Sequence, residues 1–272
     1  MNSIVSRSVI ITGAAQGIGR AMTEALLLDG HSITILDNNE QALATCRSDL
    51  GESDHLHYVL GSVTNDADCV QAVTETVARF GTLHAIINNA GLGVGSLRHD
   101  AEVNVPGIEE LTPEIWQRFF DVNVLGAIRM TRAGIAHLKA AGWGRIINNT
   151  TGYLTHHRVQ PYGGVKAALE SASAVWANEL EGSGVTVNVL IPGGPTDTAF
   201  VIEIGIERHN MLQPAVMGPP VRWLMSSEAD GVNGRRFSAG KWDTSISPAP
   251  AAANISRPIG WPDLSADVIW NA

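Results

Sequence analysis

The chain has 272 residues, of which 44% are hydrophobic and 17% charged, and its formal net charge at pH 7 is −9. This length is enough to bury one large core, and α/β folds of this size are often single domains. No basic stripe or Lys/Arg run is present, so nucleic-acid binding has no electrostatic footprint. We also expect neither a membrane span nor a signal peptide, because no long apolar segment and no charged-then-apolar leader occurs.

Cysteine and histidine usage adds two expectations. Cys46 and Cys69 fall on separate predicted helices, which suits free thiols in a reducing cytoplasm. Two histidine pairs, at positions 55 and 57 and at 156 and 157, lack a third ligand at a recognisable spacing. The sequence therefore predicts a cytoplasmic protein without a metal site.

The first elements along the chain are a strand, a glycine turn and a helix. The apolar run 8–12 leads directly into a turn with three glycines and then into a helical pattern. Glycine is needed where the backbone turns tightly and where a pyrophosphate approaches main-chain N–H groups, and the helix offers its positive end to the phosphates. The alternative is an ordinary strand-to-helix connection. The candidate phosphate-binding residues are Gly13, Gln16, Gly17, Ile18 and Gly19.

The second predicted strand, 32–36, ends at Asp37, about 20 residues past the glycines, where an acidic residue holds the adenosine ribose hydroxyls. Its charge repels a 2′-phosphate, and neither the glycine turn nor Asn38 and Asn39 offer a cation to accommodate one. We therefore predict NAD over NADP. The alternative role for Asp37 is an N-cap of the next helix.

Further along, Tyr162 and Lys166 lie four residues apart on a predicted helix and so face the same side. A positive charge beside a phenol favours the phenolate and lowers its usual pKa of about 10. A tyrosine with such a pKa can act as general acid or base. The spacing alone also occurs by chance on amphipathic helices, so its weight depends on the other motifs.

Taken together, these motifs resemble a short-chain dehydrogenase/reductase of the classical type, over about residues 8–242. The turn reads TGxxxGIG from Thr12, NNAG follows the strand 83–87, and Asn123 lies in a matching DVNVLG segment. The strand 144–148, the Tyr162/Lys166 pair and Pro192-Gly193 after the strand 185–190 follow in the family's order.

The alternation of apolar strands with amphipathic helices itself favours a parallel sheet covered on both faces. The resemblance implies a Rossmann-type, doubly wound α/β fold with a seven-stranded parallel sheet in one domain, 1–242, whose last strand is 236–239. It also implies a homo-oligomer, a tetramer or dimer, built through helices near 113–138 and 162–180.

The resemblance assigns roles to four catalytic residues. Tyr162 is the acid/base, Lys166 also donates to the nicotinamide ribose, and Asn123 holds a water of a proton relay or is a buried structural amide. The family's serine position falls on Thr151, with Thr150 beside it, and the segment from there to Tyr162 is slightly short. Either threonine keeps a hydroxyl, although both can equally be β-branched residues that finish a strand.

Other cofactor contacts follow from the same resemblance. Ser62 and Val63 stand where an acidic residue usually holds the adenine amine, and Thr198 or Thr196 is expected at the nicotinamide carboxamide unless these residues only form a turn. The predicted cofactor-binding set also includes Asn89, Ala90, Gly91, Pro192 and Gly193.

Three segments bear on the substrate and on the surface. An apolar stretch, 198–213, is a predicted lid, and the connection 92–110 is longer than usual. His156, His157 and Arg158 either steer a polar substrate group or are ordinary surface residues. The Pro-containing extension 243–272 carries Trp261 and Trp270, so we predict that it docks on its own subunit or on a neighbour.

The sequence thus predicts an NAD(H)-dependent oxidoreductase that interconverts a small secondary alcohol and a ketone by hydride transfer. One alternative is an NAD(P)H-dependent carbonyl reductase of the 3-oxoacyl type. The other is a dinucleotide-binding protein of the same fold without catalysis.

Overall fold

The computed structural model describes residues 5–201 and 204–263. Within this part of the chain, strands and helices alternate from the N-terminus. The strands are β1 (Ser8–Thr12), β2 (Ser32–Asp37), β3 (Leu56–Leu60), β4 (Ala85–Asn88), β5 (Gly144–Asn149), β6 (Val185–Ile191), β7 (Arg235–Ser238) and β8 (Ser256–Pro258). The helices are α1 (Gly17–Leu28), α2 (Glu40–Leu50), α3 (Asp66–Phe80), α4 (Pro113–Phe120), α5 (Gly126–Ala140), α6 (Tyr153–Arg158), α7 (Tyr162–Glu179), α8 (Gly218–Leu224) and α9 (Pro248–Ile255).

The strands form one sheet in the order β3-β2-β1-β4-β5-β6-β7-β8. The pairs from β3 through β7 are parallel, as continuous apolar strands buried on both faces favour, and β8 pairs antiparallel with β7. The predicted fold class is confirmed. The described part of the chain has eight strands rather than seven, because a short segment after α9 adds an antiparallel edge.

Alternate side chains of each strand enter two separate cores, one on each face of the sheet. Val9 and Ile11 pack with apolar residues of α1, α2, α8 and α9, whereas Ile10 packs with residues of α3, α5 and α7. All three side chains are fully buried. The helices therefore cover both faces, as predicted.

The connections reverse direction between β1 and β4, the two neighbouring central strands. In open α/β sheets a ligand cleft forms at this switch point, outside the carboxyl ends of the strands. The glycine turn after β1 and the NNAG segment after β4 both lie at this edge. The functional site is therefore expected at this end of the sheet.

The C-terminal extension packs on the same chain. Ala251, Ala252 and Ile255 of α9 are buried, and β8 continues the sheet. Farther on, the Trp261 ring meets the His156 ring of α6 edge to face, with 6.1 Å between centroids. The described part of the extension, residues 243–263, thus packs on its own chain, in agreement with the prediction, and Trp270 lies outside the described residues.

Among the described residues, no helix combines the length and the apolar character needed to cross a membrane.

Candidate active site

The glycine turn after β1 packs directly against the segment after β4. Gly13 has φ +62°, and a Cβ there would lie 2.8 Å from Ala90 Cα, so a side chain fits neither the conformation nor the space. Asn89 donates from Nδ2 to the carbonyl oxygens of Thr12 and Gly13, both at 2.9 Å. The two motifs are therefore joined by the Asn89 side-chain amide and by close backbone packing at Gly13.

The first turn of α1 is suited to a phosphate. Its N-cap, Gln16, makes no side-chain cap hydrogen bond, and the first helical residues Gly17 and Ile18 follow it without an acidic residue. Free N–H groups and the positive end of the helix dipole favour an anion here. Gly19 lies in the same turn, where a Cβ would lie only 2.5 Å from Asn89 Nδ2. The donor set thus fits the pyrophosphate of a dinucleotide.

Asp37 lies at the end of β2, beside this turn, and is 7% exposed. Its two carboxylate oxygens accept the backbone N–H groups of Ala15 and Asn39, each at 3.0 Å. The two donors, Ala15 and Asn39, also line a cavity of about 320 Å³, as does Arg20. Arg20 is the nearby cation, and it is already paired with Glu24 and Asp49.

A carboxylate that sequence reasoning missed, that of Asp68, lies beside the segment Ser62–Val63 that the sequence predicts at the adenine. Ser62 donates its backbone N–H to Asp68 Oδ2 at 2.7 Å, and its hydroxyl lies 2.8 Å from that of Thr64. Val63 is buried against Gly126. Asp68 occupies the first turn of α3, after the N-cap Asn65. A short turn followed by an Asn cap is the signal that would have pointed to it.

At the other end of the cleft, the chain leaves β6 through Pro192 and Gly193, and Gly193 has φ +95°. The two candidate threonines that follow are separated by the structure. A Cβ on Gly17 would lie 3.3 Å from Thr198 Cγ2, so Thr198 faces the glycine turn. Thr196 is 5% exposed and donates to the carbonyl of Gly194 in its own turn. Thr198 therefore lies against the glycine turn, whereas Thr196 is held within its own loop.

Tyr162 begins α7, and Lys166 lies one turn later with only 2% of its surface exposed. The Lys166 ammonium lies 5.9 Å from the centre of the Tyr162 ring and donates to the carbonyl oxygen of Asn149 at 2.8 Å. Burial lowers the pKa of Lys166 to about 8. The ammonium is therefore still mostly charged at neutral pH, and it is held by the end of β5.

The predicted direction of the Tyr162 pKa shift is wrong. Burial raises the pKa of Tyr162, a hydrogen bond with the Thr151 side chain opposes the rise, and the Glu102 carboxylate adds to it. Desolvation disfavours the phenolate more than the nearby groups favour it. The surroundings of Tyr162 therefore favour the neutral phenol, which hydrogen-bonds Thr151.

The two threonines after β5 have different partners. Thr150 is 2% exposed and donates its hydroxyl to Glu170 Oε2 at 3.0 Å, on the side away from the cleft. Thr151 instead interacts with the phenol of Tyr162. Thr151 is therefore the threonine whose side chain meets Tyr162, and its catalytic role stays a prediction.

Asn123 lies in a single π-helical turn, Asp121–Leu125, between α4 and α5. Its Nδ2 donates to the carbonyl oxygens of Leu92 and Phe119, at 3.1 and 3.0 Å, and its Oδ1 accepts the N–H of Leu92. A Cβ on Gly91 would lie 3.0 Å from Asn123 Oδ1 and 3.5 Å from Lys166 Nζ. The buried amide is thus satisfied by protein groups, and it flanks the same spot as Lys166. Such π turns recur at functional sites.

An aromatic residue of the predicted lid covers the tyrosine. The Phe200 ring lies 5.7 Å from the Tyr162 ring and packs so closely on Gly93 that a Cβ there would lie 2.6 Å from it. On the neighbouring α6, both ring nitrogens of His156 are buried without a hydrogen-bond partner among the described residues. The cleft beside Tyr162 therefore has an apolar wall. A steering role for the histidines and for Arg158 remains a prediction.

The structure thus brings Thr151, Tyr162, Lys166, Asn123 and Gly91 together, next to the glycine turn. Comparison with known proteins gives the same family. The family model described as short chain dehydrogenase matches residues 7–208. The chain is therefore an oxidoreductase of the short-chain dehydrogenase/reductase family, whose members bind a nicotinamide dinucleotide.

Three similar proteins illustrate the range of this family. A 3-alpha-(or 20-beta)-hydroxysteroid dehydrogenase of Mycobacterium bovis is 31% identical over 195 residues, covering 70% of this chain and 69% of its own. A diacetyl reductase [(S)-acetoin forming] of Staphylococcus epidermidis is 28% identical, covering 85% and 96%. The structure of a 3-ketoacyl-(acyl-carrier-protein) reductase of Brucella melitensis complexed with NADH matches with a TM-score of 0.73 at 24% identity, covering 86% and 97%. This last likeness concerns the fold alone.

Proposed function

We propose that the protein interconverts a secondary alcohol and a ketone with NAD(H), and that Tyr162 is the general acid/base. The observation that carries the proposal is the juxtaposition of the Tyr162 phenol, the Thr151 hydroxyl and the buried Lys166 ammonium at the switch point of the sheet. A hydroxyl donor, an acid/base and a fixed cation beside a dinucleotide cleft are the groups that carbonyl reduction and alcohol oxidation require.

In the oxidation direction, the substrate loses a hydride from its carbinol carbon and a proton from its hydroxyl. NAD, when bound, supplies the hydride acceptor. Thr151 donates a hydrogen bond to the substrate oxygen, and Tyr162 accepts the hydroxyl proton. Before this transfer Tyr162 has to be the phenolate, which the Lys166 charge stabilises, and accepting the proton returns it to the neutral phenol. Lys166 would also orient the ribose, and Asn123 flanks the path by which a water passes the proton on to solvent.

The proposed preference for NAD rests on Asp37 and its surroundings. The carboxylate is held by the backbone N–H groups of Ala15 and Asn39, which also line the neighbouring cavity that we propose for the ribose. A 2′-phosphate placed there would meet a like charge. Arg20 could otherwise neutralise the charge of the 2′-phosphate, but it already forms ion pairs with Glu24 and Asp49. We also propose that Ser62, Val63 and Thr198 contact the two ends of the cofactor.

The test is a spectrophotometric assay at 340 nm with NAD and NADP, offering acetoin, hydroxysteroids and other secondary alcohols, and the reduced cofactors with the corresponding ketones. Tyr162→Phe removes the acid/base, so we expect turnover to fall at least about a hundredfold. NAD affinity, measured by calorimetry, should change little. Tyr153→Phe is the matched control, because Tyr153 lies on α6 with 57% of its surface exposed and should keep full activity.

Turnover by Tyr162→Phe at the wild-type rate would refute the assigned role. NAD binding without turnover of any alcohol or ketone would favour a non-catalytic dinucleotide-binding protein.

The second candidate is a carbonyl reductase, which the similarity to a diacetyl reductase favours. The same three residues would act in reverse, with Tyr162 giving its proton to the substrate oxygen. Burial raises the pKa of this phenol, which favours the protonated form that this direction requires. Faster turnover with NADPH and a 3-oxoacyl substrate or diketone than with NAD and an alcohol would select this candidate.

We further propose a cytoplasmic homo-oligomer. The apolar side chains of Phe120 and Leu125, at the junction of α4 and α5, are 40% and 37% exposed, and Val175 on α7 is 60% exposed. These helices are those through which the family resemblance implies subunit contacts. Light scattering after size-exclusion chromatography would measure the mass, and a monomer would contradict the proposal.

A further inference from the structure

The end of β5 is held by one face of α7. Lys166 donates to the carbonyl oxygen of Asn149 at 2.8 Å, and Glu170 accepts the hydroxyl of Thr150 at 3.0 Å. Tyr162, Lys166 and Glu170 follow at intervals of four residues and therefore lie along one stripe of the helix. The face of α7 that carries the acid/base therefore also binds Asn149 and Thr150, the two residues before Thr151.

Arg236 of β7 holds Thr151 itself. Its Nη2 donates to the Thr151 carbonyl oxygen at 2.6 Å, and its Nη1 forms an ion pair with Glu170 Oε2. The Glu170 and Arg236 side chains are only 3% and 16% exposed. A planar guanidinium can donate to two acceptors at once in a fixed geometry, which the single ammonium of a lysine cannot reproduce.

We propose that Glu170 and Arg236 are positioning residues that set the Thr151 hydroxyl relative to the Tyr162 phenol. They act through the Thr151 carbonyl and touch neither reactant. The inference rests on the proposed function, in which Thr151 and Tyr162 contact the same substrate oxygen.

The physical link is the backbone of Thr151. Fixing its carbonyl fixes the peptide plane, and a β-branched side chain then has few rotamers left. The direction of the Thr151 hydroxyl is therefore determined by the contacts of the Thr151 carbonyl. A shift of about 1 Å at a reacting group can cost on the order of a hundredfold in rate.

The decisive variant is Arg236→Lys. It keeps the positive charge beside Glu170 but loses the planar guanidinium that donates to two acceptors at once. The matched control is Arg235→Lys, one residue earlier on β7, because Arg235 donates to Ser256 Oγ at 2.7 Å and not to the end of β5. Steady-state kinetics with the best substrate of the panel, NAD affinity by calorimetry and thermal unfolding are measured for both. We expect kcat of Arg236→Lys to fall about a hundredfold, with the NAD Kd within about threefold of wild type and kcat of Arg235→Lys unchanged.

A rescue experiment separates positioning from mere folding. Arg236→Ala should regain at least tenfold of its lost kcat when millimolar guanidinium is added, and the same concentration of ammonium should not restore it. Glu170→Gln, which keeps an acceptor for Thr150 but not the ion pair, should reproduce the loss of kcat if Arg236→Lys fails to fold.

The outcomes of this experiment are distinguishable. The inference would be overturned if Arg236→Lys kept the wild-type kcat, or if its kcat fell only in proportion to the fraction of unfolded protein. The proposed function would still stand, provided that Tyr162→Phe is inactive in the same assay. Absence of turnover by the wild-type protein would overturn the proposed function and this inference with it.

Discussion

Replacing Gly163 by Ala is expected to disturb both the stability and the activity of the protein, although alanine normally favours a helix. A Cβ on Gly163 would lie 2.1 Å from the carbonyl oxygen of Thr155 and 2.9 Å from His156 Cα, both in the backbone of α6. Carbon and oxygen atoms of this kind normally stay about 3.3–3.6 Å apart, so α6 has to move by more than about 1 Å.

The change in the free energy of unfolding caused by Gly163→Ala is the balance of two opposed effects. Gly to Ala inside a helix contributes about 0.5–1 kcal/mol of stability. Overpacking of a tight contact costs typically about 1–3 kcal/mol, and here the obstacle is backbone, which yields less easily than a side chain. We expect a net loss of about 1–2 kcal/mol in the free energy of unfolding. Because α6 connects Thr151 to Tyr162, its displacement should also lower kcat by about tenfold to a hundredfold.

The neighbouring Gly164 provides the matched control. It is exposed, and a Cβ there would meet only ring carbons of the Trp116 side chain at 3.1 Å, which can shift slightly. Gly164→Ala should therefore be neutral or more stable by up to about 1 kcal/mol, with unchanged turnover. Urea unfolding and the 340 nm assay compare the two variants. A Gly163→Ala protein as stable and as active as Gly164→Ala would refute the close approach of α6 and α7.

Three further predictions concern pH, cofactor and substrate. Burial lowers the pKa values of His31 and His84, and each Nδ1 accepts a backbone N–H at the start of β1, a bond that only the neutral ring can make. The stability that they contribute is present above the unfolded-state pKa of about 6.5 and is lost as the pH falls below it. Urea midpoints should therefore drop between pH 7.5 and 5.5, and a variant with Gln at both positions should drop less. Asp37→Ala should raise the Kd for NAD about tenfold or more, since hydrogen bonds to a charged group are worth about 1.5–3 kcal/mol. Calorimetry should find NADP less affected, and an equal loss for both cofactors would argue against discrimination at this residue. Phe200→Ala should raise KM for apolar alcohols with little change in NAD affinity, because its ring covers Tyr162; an unchanged KM in steady-state kinetics would mean that the ring does not contact substrate.

The family of this protein and most of its fold follow from local sequence pattern. Strands buried on both faces read as continuous apolar runs, and the helices between them read as amphipathic. The glycine turn, Asp37 and the Tyr162/Lys166 pair each lie within a few residues of a strand end or on one helix face. Such features depend on backbone geometry and on periodicity, which are properties of short segments.

The remaining features were decided by contacts between distant parts of the chain. Arg236 and Glu170 are 66 residues apart in sequence and meet only because β7 lies two strands from β5. The spacing of Glu170, four residues after Lys166, was visible in the sequence, but its partner was not. The eighth strand likewise depends on where α9 packs.

The pKa of Tyr162 also depends partly on local sequence and partly on the tertiary structure. The sequence indicates a nearby cation, which favours the phenolate, but the extent of burial is a property of the assembled structure. In the folded chain the loss of hydration outweighs the hydrogen bond with Thr151, so the pKa of the phenol is raised. The sequence by itself determined which chemical groups are present and on which elements. Only the tertiary structure decided their distances, their partners and their exposure to water, because these depend on how all the elements pack together.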